Sequence, residues 1–237
     1  MTTVPSVEIR TRTGTDVEAA LEVWRAARAA DGARPPAARA RRVREKLSDP
    51  QALLVVAADG PEVVGMALGE PGRAADGSAA PDVLHLSMLY VHPGARRQGV
   101  GGALAEGLAD AAYPRGARRL QAWTRTSDAP ARAFYAACGL EPTGAEQVLE
   151  DGSPAVQYAA ELDPPMRELV VREGGLRLGQ LLKLAGLVET GSEGKALLEA
   201  GEVQVNGEVE LRRGRQLADG DVVVAHDEAV QVVLPAP

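Results

Sequence analysis

The apolar positions of this 237-residue chain fall into two kinds of run. Some alternate or form short unbroken blocks, as strands do; others recur at three- and four-residue spacing, as amphipathic helices do. Val7 to Arg12 reads as a first strand. Thr15 and Asp16 then cap a helix with Val17, Ala20, Leu21, Trp24 and Ala27 on one face, ended by Asp31-Gly32. Ala37 to Leu47 is a second, arginine-rich helix. Leu53 to Ala57 and Val63 to Gly69 are strands joined through Asp59-Gly60, a hairpin signal, and Pro71 to Ala80 reads as a loop. Leu84 to Val91 alternates as a strand, with His85, Ser87, Leu89 and Val91 on one side and Leu84, Leu86, Met88 and Tyr90 on the other. Pro93-Gly94 ends that strand, and Arg96 to Gly102 opens a helix that buries Leu104 and Leu108. Leu120 to Thr124 is the next strand, Ala129 to Cys138 a short helix stopped by Gly139, and Val156 to Leu162 a last strand. Helices and strands alternate, so the expected fold class is α/β (α+β) with a mixed central sheet.

Asp163-Pro164-Pro165 breaks this pattern and marks a boundary between a domain at residues 1–163 and another at 164–237. The second reads as a small α+β unit. Leu178 to Leu187 is a helix that ends at Gly186 or just beyond, and Ser192 to Ala200 a helix capped by Ser192 and stopped by Gly201. Val203 to Val209 forms a hairpin through Asn206-Gly207, and Asp219-Gly220-Asp221 leads into a strand from Val222 to Ala225.

Composition changes this picture little. At 45% hydrophobic and 25% charged residues, the chain is an ordinary globular one. No apolar run is long enough to span a bilayer, the first residues lack the basic and apolar segments of a signal peptide, and the single cysteine, Cys138, excludes an internal disulfide. A cytoplasmic location without membrane contact is the expectation. Three histidines and one cysteine offer no metal cluster, so no metal is expected. The net charge of −7 means that nucleic acid would have to be met by a local patch rather than by bulk charge.

The candidate chemistry centres on residues 84–104. A glycine-rich turn at a helix start leaves backbone N–H groups converging on one point, where they and the positive helix end suit a phosphate. The order strand, Val-x-Pro turn, Arg-x-x-Gly-x-Gly loop, helix resembles the acetyl-CoA-binding core of the GNAT acyltransferase superfamily over roughly residues 5–163. The resemblance implies that Leu89, Tyr90 and Val91 pair their backbone with the pantetheine arm, and that Arg97, Gln98, Gly99, Val100, Gly101 and Gly102 cradle the pyrophosphate. It implies that the Leu89 N–H meets the oxyanion. Tyr135, in Ala-Phe-Tyr-Ala-Ala-Cys-Gly-Leu, matches the family tyrosine that protonates the departing thiolate. Asp128 stands where many members place an asparagine on the cofactor; an aspartate accepts but does not donate. For the base, His85 on the central strand titrates near neutral pH, and water is the alternative; the position of another family base falls on Trp123, which cannot serve. The arginines from Arg39 to Arg44 read as a solvated helix face, or as a contact for an acidic substrate or RNA backbone.

The second unit carries Arg177-Leu-x-x-Leu-Leu-Lys-Leu-x-Gly, then Gly-Glu-Val-Gln-Val-Asn-Gly, then Gly-Asp. Over roughly residues 168–234 this resembles the small RNA-binding domain of ribosomal protein S-four, with its alpha-L arrangement of two helices and a hairpin. The resemblance implies structured RNA, tRNA or rRNA, as partner. Its basic candidates are Lys183, Lys195, Arg212, Arg213 and Arg215. Eight basic against twelve acidic residues from Pro164 onward leave this unit at −4, and Gly191 stands where many members have an arginine. The expected function is an acetyl-CoA-dependent N-acetyltransferase acting on an amine, with an RNA-associated acceptor as one candidate. The alternative is a non-catalytic RNA-binding protein whose first domain senses acyl-CoA.

Overall fold

A computed structural model describes residues 7–13, 15–74, 77–149, 151–171 and 175–234, which divide into two compact units at Asp163 and Pro164. The first unit holds a seven-stranded sheet in the order β1-β2-β3-β4-β5-β7-β6. Its strands are β1 (Glu8–Thr11), β2 (Leu53–Asp59), β3 (Glu62–Arg73), β4 (Ala79–Val91), β5 (Arg119–Arg125), β6 (Glu141–Val148) and β7 (Pro154–Glu161). Helices α1 (Asp16–Ala30) and α2 (Ala37–Ser48) precede β2, α3 (Val100–Ala112) follows β4, and α4 (Ala129–Ala137) follows β5.

The unbroken apolar run of β2 is explained by burial on both faces. Leu53, Val55 and Ala57 join a core with Leu104 and Leu108 of α3, whereas Leu54 and Val56 join Leu21, Trp24 and Leu47 of α1 and α2. Each fully buried leucine contributes about 2 kcal/mol. The start of α1 differs from the sequence expectation. Thr15 makes no side-chain cap. Asp16 is buried instead, with Oδ2 accepting from Arg10 Nη1 and Thr13 N, both at 2.5 Å. The Arg10 bonds outweigh the cost of burial and hold the Asp16 carboxyl down to about 2.

The strict alternation expected along β4 is broken. Met88 lies opposite Leu68 and Leu86 opposite Gly69, so Ser87 is an extra residue, a bulge. Past it the side chains change sides: Leu84, Leu86, Leu89 and Val91 all face the α3 core, and Met88 and Tyr90 face α1 and α2. The stretch expected to be a loop from Pro71 to Ala80 is mostly strand, since β3 runs to Arg73 and β4 begins at Ala79. Ala75 and Asp76 lie outside the described residues. β6 has no counterpart in the sequence reading: it is an edge strand with every residue exposed, so it carries no apolar alternation.

The second unit packs α5 (Leu178–Leu184) and α6 (Gly191–Ala200) against a five-stranded sheet of order β10-β9-β11-β12-β8. Its strands are β8 (Met166–Val170), β9 (Val203–Val205), β10 (Glu208–Val209), β11 (Val222–Ala225) and β12 (Glu228–Val233). Leu178, Leu181, Leu182, Leu197 and Leu198 cover Val203, Val205, Val223, Val230 and Val232. The expected Asn-Gly hairpin is present, with φ of 55° at Asn206 and 82° at Gly207. Two expectations are corrected. The cap of α6 is Thr190, not Ser192: Thr190 Oγ1 accepts from Glu193 N at 3.2 Å, and Glu193 Oε2 accepts from Thr190 N at 3.4 Å. α5 stops at Leu184, three residues before Leu187.

Candidate functional site

The site of the first unit is built by two strands that part. β4 and β5 run parallel but pair only through Val83, Leu84 and His85 with Arg119, Leu120 and Gln121. Beyond that, β4 keeps to β3 and β5 to β7. The side of β4 that faces away from β3, from Leu86 to Val91, therefore carries no ladder among the described residues. A row of unmet N–H and C=O groups is a template for an extended amide chain.

The loop that follows turns through two left-handed residues, Arg97 at φ 61° and Gly99 at φ 84°, into α3. Gly99 is the N-cap and receives no side-chain bond, so the first N–H groups of α3 stay open. The glycines have separate reasons. Gly99 takes a conformation that favours glycine. A Cβ on Gly101 would come within 3.1 Å of Phe134 Cε2, which is packing against α4. At Gly102 a Cβ would meet nothing within 4 Å, so that face is free for a ligand. Gln98, expected on the pyrophosphate, turns its Nε2 back onto Gly94 O at 3.0 Å. Val100 is buried in the α3 core. Arg96, the first residue of the Arg-x-x-Gly-x-Gly stretch, holds the loop: its guanidinium donates to Ala27 O of α1 at 3.2 Å and to Asp31 Oδ1, just past that helix, at 3.0 Å.

Leu89 and Val91, both half-buried, pack on the α3 core and Tyr90, also half-buried, on the core of α1 and α2. Tyr135 packs against the same core as Leu89 and Val91, and its ring lies 5.8 Å from that of Tyr158. Burial first, then the charge of Asp128, pushes its hydroxyl up to about 12. Asp128, expected as a cofactor contact, is the N-cap of α4, with Oδ1 accepting from Ala131 N at 3.0 Å.

On the other side of the parting strands lies an open cleft of about 1090 Å³ lined by Glu70, His85, Arg119, Gln121, Trp123 and Gln157, among others. Tyr135 is not among its lining residues. His85 sits between Glu70 on β3 and Gln121 on β5 as their direct register partner. Its Nδ1 is buried without a hydrogen-bond partner among the described residues. Burial lowers its pKa, and the charge of Glu70 offsets this only in part. The imidazole is thus neutral at pH 7. Glu70 carries no signal in sequence. Burial, the largest single influence, would raise its pKa, but the bond from Lys46 Nζ at 2.6 Å, together with the Ser87 hydroxyl and the charges of Lys46 and His85, lowers it on balance. Its link to His85 is visible only through the register of β3 on β4.

In the second unit the five expected cations do not act alike. Arg212 and Arg215 both bind Glu210, which is only 5% exposed: Arg212 Nη2 and Arg215 Nη1 reach Oε2 at 2.8 and 3.1 Å. The hydrogen bonds from Arg212 hold the Glu210 carboxyl far below the usual range. Lys195 pairs loosely with Glu199 at 3.5 Å. Lys183 and Arg213 are exposed and have no ion pair among the described residues. Arg213 lies across the starts of both helices: a Cβ on Gly179 would come within 2.5 Å of its Cγ, and one on Gly191 within 3.0 Å of its Nη2. The place of an arginine side chain at Gly191 is thereby taken by the Arg213 guanidinium.

Among the described residues no helix is long and apolar enough to cross a membrane, and no group of three or more His, Cys, Asp or Glu side chains could hold a metal ion. Comparison with known proteins places both units. Residues 170–233 match the model of the S4 domain. The chain is 50% identical over 48 residues to the "Probable ribosome maturation protein RlbA" of Bacillus subtilis, covering 20% of this chain and 68% of that one. It is 38% identical over 63 residues to a tyrosine–tRNA ligase of Nitrosomonas europaea, covering 27% of this chain but only 15% of the ligase. Among solved structures, the ribosomal-protein-S18-alanine N-acetyltransferase of Escherichia coli aligns at a TM-score of 0.51 and 24% identity, over 66% of this chain and 94% of that one. An acetyltransferase of Salmonella typhimurium, solved with its cofactor acetyl-CoA, aligns at 0.51 and 21% identity, over 67% and 95%. Both share the fold. The model of the acetyltransferase (GNAT) family matches residues 19–140, and the chain belongs to that family, with an S4 domain after it.

Proposed function

We propose that the first unit transfers the acetyl group of acetyl-CoA to an amine, and that the second holds structured RNA on or near which the amine is found. The observation that carries the first half is the parting of β4 from β5 beside the open first turn of α3. The free side of β4 takes the pantetheine amides, the N–H groups from Gly99 to Gly102 take the pyrophosphate, and the Leu89 N–H takes the oxyanion. The amine enters from the cleft on the far side, which Glu70, paired with Lys46, and His85 line. His85, neutral and lining the cleft, removes a proton through water. The amine nitrogen then attacks the thioester carbonyl, the C–N bond forms, the C–S bond breaks, and the proton that the nitrogen sheds on forming the amide goes to the departing thiolate. A hydroxyl at about 12 is a weak acid toward a thiolate, so Tyr135 serves first as a hydrogen-bond donor to the sulfur.

The RNA half rests on the S4 match. The relatives' names point toward ribosomes and tRNA, and tRNA or rRNA with an amine of the translation apparatus is the reading adopted. Incubating the purified chain with ribosomes, tRNA and small amines and labelled acetyl-CoA tests it. Label should pass to an amine on the RNA or its proteins. Binding of acetyl-CoA with no transfer to any acceptor would instead favour an acyl-CoA sensor.

A further inference from the structure

The charges of the second unit raise a question of supply. Phosphate binding needs free cations, yet two of the five basic candidates are held by Glu210 and a third leans on Glu199. The first unit holds what the second lacks. α2 carries four arginines and one lysine against one glutamate. Arg44 is paired with Glu18 at 2.7 Å. Arg34, Arg39, Arg41 and Arg42 are exposed and have no ion pair among the described residues.

Their placement is not random. Ala40, Val43 and Leu47 bury one face of α2. Arg39 and Arg42 stand at i and i+3, one above the other along a neighbouring face, and Lys46, one turn further on, is held by Glu70. The row ends at the cleft, because Lys46 Nζ bonds Glu70 Oε2. Arg39 to Lys46 spans about 10 Å of helix at 1.5 Å per residue. Guanidinium groups match phosphate oxygens in pairs.

We propose that α2 is a second phosphate-binding surface, which seats the backbone of structured RNA beside the acceptor cleft. This rests on the reading that the acceptor is associated with RNA, and extends it: the S4 domain tethers the RNA, and α2 orients it. An acidic protein would be the other polyanion. RNA is favoured because the same chain carries an S4 domain, so that RNA held there is at high effective concentration for α2.

The test uses the full chain and unfractionated tRNA as probe, with binding followed by fluorescence anisotropy between 50 and 200 mM salt. Three variants are compared with the parent: Arg39→Glu/Arg41→Glu/Arg42→Glu, the same positions changed to lysine, and Lys183→Ala/Arg213→Ala. The glutamate triple should lose at least about tenfold in affinity at the lowest salt. Its slope of log affinity against log salt should fall by about 2, since each lost phosphate contact removes roughly 0.7 to 0.9. The lysine triple should keep most of both, and all should acetylate a small free amine as the parent does. If the glutamate triple binds tRNA as the parent does while Lys183→Ala/Arg213→Ala does not, the inference fails and the RNA reading stands. If the parent itself does not retain tRNA, both fail. Polyglutamate that binds the parent as tightly as tRNA, and is lost in the glutamate triple, would make α2 a protein-docking surface and overturn the inference as well.

Discussion

The two units offer ligands to bind in opposite ways. In the first, backbone makes the site: strands that part, and a helix start whose N–H groups no side chain covers. In the second, the candidate site is one of side-chain charge, and three of its five cations are paired inside the unit, with Glu210 and Glu199. A backbone site is fixed once the fold forms. A charge site depends on which cations the fold leaves free. The largest effect should therefore come from blocking the first. Gly102→Glu puts a carboxylate where a Cβ meets nothing within 4 Å, so the fold should survive. Calorimetry should show acetyl-CoA affinity down by about a hundredfold, roughly 2.8 kcal/mol. Gly101 is a poorer test, because its Cβ would press on Phe134. Unchanged affinity in a folded Gly102→Glu chain would move the pyrophosphate elsewhere.

Next come the side chains proposed to act on the bound thioester. Tyr135→Phe removes only a hydroxyl, so kcat should fall about tenfold to a hundredfold while KM for acetyl-CoA stays within about twofold. An unchanged kcat would leave Tyr135 as a packing residue against Tyr158. His85 is read through pH. A base must be unprotonated, and burial lowers the His85 pKa below its ordinary 6.5. Activity should therefore hold through neutrality and fall as pH drops through that lowered value. His85→Gln should abolish this limb. If the limb persists in the variant, the proton goes to another group or to water.

The same contrast decides what is legible in sequence. The backbone site is legible because glycine, proline and a strand that ends in a turn are local signals, and Leu84 to Leu104 holds them all. The fully buried Trp24, Leu104 and Leu108 are legible from helical spacing. What sequence misses is non-local. The bulge at Ser87 reverses the alternation of β4, and nothing in Leu-Ser-Met announces it. β6 and β8 are largely exposed, so they lack an apolar period. Glu70 faces His85 only because β3 and β4 share a register. Gln98 and Asp128 match ligand contacts by position, but both side chains bond their own loop or helix. For the cations of the second unit, sequence shows that the charge exists and not that Glu210 is buried between two of them.

Glu210 allows a smaller test, on stability. Its carboxyl titrates far lower folded than free. A depressed folded value means that its stabilising contribution is complete above the unfolded value of about 4.3 and is lost as pH falls toward the folded one. Acid unfolding of the parent should include this slope below about pH 4. Glu210→Gln should remove it, and the variant should be less stable than the parent at pH 7, where the carboxylate is charged. Equal stability at pH 7 would mean that the clamp on Arg212 and Arg215 has no energetic role.

The smallest effect separates free from clamped cations within one domain. Lys183 is exposed and unpaired among the described residues, whereas Arg212 donates to both oxygens of Glu210 at 2.9 and 2.8 Å. A cation that already neutralises a carboxylate releases few counterions on meeting a phosphate, so it adds little to salt-dependent binding. Lys183→Ala should lower the slope of log tRNA affinity against log salt by a little under one unit, roughly 0.7 to 0.9. Arg212→Ala should leave that slope nearly unchanged, although it removes the same formal charge. Arg213→Ala should follow Lys183, because its guanidinium lies over Gly179 and Gly191 without a carboxylate partner among the described residues. If Arg212→Ala lowers the slope as much as Lys183→Ala, the clamp opens when RNA arrives. The second unit would then bind by charge it releases on contact, and the distinction between the two units would be one of timing rather than of supply.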